Sequence, residues 1–191
     1  MASASDRQAP VRYSGIARFF HWLTVILLLV TIPIGLVMTY RGGELNIWDT
    51  TTNVLYNSHK ALGVVILAVV LMRLAYRLIH GAPPDEPTLS GLQKLVAHVV
   101  HWTLYGLLIL IPIIGWIGVS MFPALGLFGL LKLPALAAPD QATAKWMFEV
   151  HAILGRLLLA LIALHVVASL GHHFVLRDGV LRRMWPGKTD S

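Results

Sequence analysis

Four stretches of the chain are apolar for long enough to cross a bilayer: about residues 16–40, 56–79, 92–122 and 146–174. A hydrocarbon core about 30 Å thick needs roughly 20 apolar residues in a helix. Only a helix satisfies its own backbone groups in lipid, and none of the runs shows the strict alternation of a barrel strand. The pattern therefore predicts an all-α fold, a four-helix membrane bundle forming one domain over residues 1–191, with no internal repeat. The first run exceeds the roughly 7–15 residues of a signal-peptide core, and no small-residue cleavage site follows it. Between the second and third runs, residues 81–87 (GAPPDEP) break the helix. Residues 123–138 are apolar but interrupted by Pro123, Gly126, Gly129 and Pro134, too short to span, and are expected to lie along an interface. Trp22, Tyr40, Trp48, Tyr56, Trp102, Trp146 and Trp185 fall near run ends, where interfacial aromatic anchors belong.

Composition agrees with this pattern. Apolar residues make up 57% of the chain and charged residues 13%, against roughly 25% charged in soluble domains. The formal charge is +6, and its distribution gives an orientation. Arg7, Arg12, Arg18, Arg73, Arg77, Lys94, Arg177, Arg182, Arg183 and Lys188 collect on one side, and Arg41, Lys60, Lys132 and Lys145 on the other. The positive-inside rule then places both termini in the cytoplasm. In so apolar a chain the basic excess reads as membrane orientation, and nucleic acid is not expected as a partner. With 0 Cys, disulfides, iron–sulfur clusters and thiolate ligands are excluded.

Histidine, by contrast, occurs 9 times. His21 lies at the inner end of the first span and His59 at the outer start of the second. His151 and His165 share the fourth span, 14 residues apart, which is about 21 Å of rise with the side chains within about 40° of one face. Antiparallel packing puts His59 level with His151 and His21 level with His165. A histidine pair facing across a helical bundle is the axial ligand pair of a haem, so two haems, one near each membrane face, are expected. Gly63 and Gly155 follow His59 and His151 at i+4, and the missing side chains would let a flat macrocycle lie against each helix. Interhelical hydrogen bonding is the alternative use of a single membrane histidine.

His80, His98, His101, His172 and His173 fall at the inner side. No cysteine or membrane-embedded carboxylate joins them, so a zinc or copper site is disfavoured. Interfacial hydrogen bonding, to haem propionates or a quinone head group, suits them better. Arg18, Arg73, Arg77 and Lys94 are candidates for pairing with propionates or with anionic lipid. Arg156 stands about 140° round α-helical geometry from His151 and faces away from the seam. Lipid phosphate or a second subunit would have to meet it, which leaves a homodimer open.

Several words in the sequence resemble the bacterial cytochrome b561 family, the short four-helix di-haem class. They are Phe20-His21-Trp22, His59-Lys60-Ala61-Leu62-Gly63, Ala97-His98-Val99-Val100-His101, and His151 with His165. The tail contributes Gly171-His172-His173-Phe174, Arg177-Asp178 and Leu181-Arg182-Arg183-Met184, so the likeness runs from about Tyr13 to Met184. It implies two haem b groups, with His59 and His151 as outer ligands and His21 and His165 as inner ones. It further implies a multi-pass protein of the bacterial inner membrane, moving electrons between ubiquinone and a periplasmic-side partner, which one branch finds in superoxide. Other relatives anchor multi-subunit dehydrogenases and reductases, and that role is the main alternative. A haem-free metal or proton transporter using the same histidines is a further one.

Overall fold

The computed structural model describes residues 11–186, so Arg7 and Lys188 lie outside the described residues. Four helices dominate: α1 (Gly15–Met38), α2 (Thr50–His80), α3 (Gly91–Met121) and α4 (Gln141–Gly171). Wider π-helical turns extend α1 through Thr39–Glu44 and α4 through His172–Leu176. All four are long and apolar enough to cross a membrane.

Each helix starts where a short polar side chain can take up free backbone N–H groups. Ser14 accepts from Ala17 N at 3.2 Å and Asp49 from Thr52 N at 2.8 Å. Ser90 and Gln93 form a reciprocal capping box at α3. Asp140 accepts from Ala142 N and Thr143 N, so α4 begins at Gln141 rather than near Trp146. The Thr52 N–H, helped by Arg41 at 2.6 Å, holds the Asp49 carboxyl down at about 2.

Helix α1 packs on α2, α2 on α3 and α3 on α4, whereas α1 and α4 make almost no backbone contact. A core of Ile66, Val70, Tyr105, Leu107, Leu108, Ile111 and Leu158 joins α2, α3 and α4 at mid-height. The interrupted segment after α3 folds into a two-stranded hairpin, β1 (Gly126–Leu127) with antiparallel β2 (Leu131–Lys132). Trp116 Nε1 donates to Pro134 O at 2.9 Å and Leu136 N to Ser120 Oγ at 3.1 Å, which ties this segment to α3.

At the opposite end the C-terminal segment folds back over the start of α1. Trp22 Nε1 donates to Met184 O at 2.8 Å and Arg18 to Trp185 O at 3.0 Å. Arg12 reaches Trp185 O at 3.0 Å, and Arg183 reaches Val11 O at 2.8 Å and the Pro84 carbonyl. His172 Nδ1 donates to Asp178 at 2.5 Å, closing the turn after α4. Several basic residues thus satisfy backbone carbonyls where the tail, the segment before α1 and the loop between α2 and α3 meet.

On the outer side α3 packs tightly against α4 at Gly118, where an added Cβ would lie 2.6 Å from the Phe148 ring. Overpacking of this kind costs about 1–3 kcal/mol. Gly118→Val is expected to lower the thermal midpoint by several degrees with helix content unchanged, measured by circular dichroism in detergent. An unaltered midpoint would show that this contact is slack.

Candidate functional site

His59 on α2 and His151 on α4 face each other with ring centroids 5.9 Å apart. Each ring leans on the neighbouring helix in the same way. His151 Nδ1 donates to Ile111 O of α3 at 2.9 Å, and His59 Nδ1 donates to Thr31 O of α1 at 3.3 Å. With the proton on Nδ1, the Nε2 lone pair of each ring remains free. This is the outer-shell bond that ordinarily orients a metal-binding histidine.

A glycine makes each of these bonds possible. A Cβ at Gly35 would lie 2.9 Å from His59 Cε1, and one at Gly115 would lie 3.0 Å from His151 Cε1 and Nδ1. The acceptor carbonyl lies four residues before the glycine in both helices, with Pro33 or Pro112 between. Sequence reading singled out Gly63 and Gly155 instead, the residues one turn along the ligand helices. At those two positions a Cβ would meet nothing within 4 Å, so the helix face there borders open space. The ring-admitting glycines were missed because they belong to other helices. The signal available for them was a proline followed within three residues by a glycine inside an apolar run.

The inner level is more crowded. His21 on α1 and His165 on α4 have ring centroids 6.4 Å apart. His101 on α3 stands 5.4 Å from the same His165 ring. Sequence reading placed His101 among the interfacial histidines, and its i+3 partner His98 lies outside the cluster, paired with Asp85 at 3.2 Å. Arg73 Nη2 donates to His21 Nδ1 at 3.0 Å, so this ring, unlike the outer two, accepts at Nδ1.

Two imidazoles sharing one metal, each with a nitrogen at about 2 Å, put their ring centres roughly 6.4 Å apart. The His21–His165 spacing matches this and the His59–His151 spacing is about half an ångström short, whereas the His101–His165 contact is too close. Among the described residues no group of three or more His, Cys, Asp or Glu gathers to hold a bare metal ion. Two facing nitrogens are too few for a closed zinc site, but they are the complement of a haem, whose macrocycle supplies the other ligands. The outer pair therefore fits a haem as it stands, and the inner pair fits one by its ring spacing once His21 Nδ1 is released from Arg73.

Lys60, next to His59, donates to Ala124 O at 2.9 Å and Gly126 O at 2.5 Å, which pins the outer hairpin segment to α2. Arg156 is exposed on the outside of α4, away from both pairs.

Membrane-length helices enclosing paired imidazoles define a membrane-bound cytochrome of the b type. The chain belongs to the prokaryotic cytochrome b561 family, whose model matches residues 12–187. It is 31% identical over 188 residues to cytochrome b561 homolog 2 of Escherichia coli (strain K12), covering 98% of this chain and 97% of that protein. It is 29% identical over 181 residues to the probable superoxide oxidase CybB of Yersinia pestis, covering 93% and 97%. Cytochrome b561 homolog 1 of Escherichia coli is 22% identical over 179 residues, covering 92% and 97%. Membership implies haem b and electron transport in a multi-pass bacterial membrane protein.

The glycine contacts generate a test. Gly35→Val or Gly115→Val should displace the His59 or His151 ring and lower the haem content of the purified protein, with helix content retained. Full haem content in both variants would mean that the rings can be held without this close approach.

Proposed function

We propose that this cytochrome carries electrons across the bacterial inner membrane on two haems, one held by His59 and His151 and one by His21 and His165. It would link the quinone pool to an electron partner on the periplasmic side. The observation that carries this reading is that α4 presents one histidine to α2 and another to α1, at ring separations of 5.9 and 6.4 Å. A haem held between His59 and His151, or between His21 and His165, would supply reversible one-electron chemistry with no place for a substrate at the iron. The chain's own part is to hold the rings and to keep water out. The outer pair is oriented by the Thr31 and Ile111 carbonyls, and the apolar core of Ile66, Val70, Leu108 and Leu158 fills the bundle at mid-height.

In this reading the chain is a single domain with both termini cytoplasmic, following its basic residues, and the inner pair faces the quinone. A cavity of about 250 Å³ lined by His173, Leu181, Arg182 and Trp185 lies at that end. His173 lines it, and an imidazole N–H can donate to a quinone carbonyl. Haem per polypeptide, measured as the pyridine haemochrome, should be two. His59→Ala and His151→Ala should each remove the same spectral component, and His21→Ala and His165→Ala the other. Loss of a whole haem in His101→Ala or His98→Ala would overturn the inner pairing.

A second reading concerns the outer electron donor. A relative carries the name superoxide oxidase, and superoxide delivers one electron on becoming dioxygen. Lys60 lies beside His59, although its ammonium is engaged by two loop carbonyls. Stopped-flow mixing with superoxide should reduce the outer haem faster than superoxide disappears spontaneously. Reduction no faster than that would exclude superoxide as the donor.

A further inference from the structure

Arg73 follows His59 on α2 by the same 14 residues that separate His151 from His165 on α4. Helical geometry therefore brings it to the same seam at the inner level. Where α4 offers a histidine, α2 offers a guanidinium. It is held among His21, through the 3.0 Å bond to Nδ1, and the ring of Tyr105, whose centroid is 5.3 Å from its Cζ. Arg77, one turn on, lies 6.0 Å from the Tyr105 centroid and 5.6 Å from that of Trp102. Among the described residues, the ion pairs are Arg41–Asp49, His98–Asp85 and His172–Asp178, and neither arginine takes part in any of them. A cation within a membrane bundle normally pairs with an anion or lines a ligand path.

The His21 bond carries a second consequence. Arginine only donates, so the His21 Nδ1 that accepts from it bears no proton, and a neutral ring then carries its proton on Nε2. Such a ring has no lone pair on Nε2 to offer a metal. His21 can accept from Arg73 or coordinate through Nε2, but not both. The outer rings face no such choice, because carbonyls fix them in the metal-ready form.

Resting on the reading of His21 and His165 as the inner ligand pair, we propose that Arg73 is the carboxylate-binding residue of the inner haem site. A haem brings its own anions, two carboxylate arms, into a part of the bundle where the chain supplies none. A carboxylate taken up by Arg73 frees His21 Nδ1 to hold a proton and Nε2 to coordinate, so loading the inner site and neutralising the arginine are one event. Arg73 is thus a positioning residue that acts on iron through His21 and through its charge. Its positive charge favours the reduced state of the inner haem over that of a site lacking it.

The test compares wild type, Arg73→Gln and Arg73→Lys in haem per polypeptide, in optical redox titration and in the resonance Raman bending modes of the haem carboxylates. Arg73→Gln is expected to leave the outer haem untouched. It should either lose the inner haem or hold it with a lower midpoint potential and a shifted carboxylate mode. Arg73→Lys keeps the charge without the forked donor and should restore the inner haem, with a midpoint nearer that of wild type. Two haems in Arg73→Gln with both midpoints and the carboxylate modes unchanged would overturn the proposal. A wild type without an inner haem would instead overturn the ligand assignment on which it rests, and the haemochrome of the wild type alone reads that outcome.

Discussion

An imidazole inside hydrocarbon has two ring nitrogens to satisfy, and the helices of this cytochrome are arranged around that requirement. In the outer half each ring gives its Nδ1 proton to a carbonyl of the neighbouring helix. A helix carbonyl can be reached from outside only if the two backbones come close, and closeness needs a position without a side chain. Gly35 and Gly115 provide it. Helix α1 is thereby drawn against α2 and α3 against α4, and the bundle becomes two tight pairs joined through α2 and α3.

Much of this was legible in the sequence, and what was not has a common cause. The four spans could be read because bilayer thickness imposes their length, but α2 and α4 start ahead of their apolar runs, at the caps Asp49 and Asp140. The shared face of His151 and His165 could be read because it depends only on helical pitch. Whatever depends on contact between helices could not. Gly63 and Gly155 are neighbours of the ligands along one helix, whereas the glycines that admit the rings come from the facing one. His101 looked interfacial beside His98, yet its ring lies against His165. Lys60 looked like a free outer charge, and a hairpin formed some 60 residues later takes up its ammonium.

The two membrane faces are closed by different chemistry. On the outer side Lys60, Trp116 and Ser120 fasten a short apolar segment that contains the hairpin and whose Leu125 and Leu127 are buried. On the inner side arginine and tryptophan side chains bind the carbonyls of the C-terminal segment, and Arg183 is itself only 7% exposed. The inner closure brings together residues more than 160 positions apart, so it can form only once all four helices are in place.

Helix α4 contributes a ring to both levels of the bundle while resting chiefly on α3. It behaves as a single rocker carrying two contacts. A change in its tilt, such as a thinner or thicker bilayer would impose, would therefore be felt at both ring pairs. The two ring pairs are thus mechanically coupled through one helix.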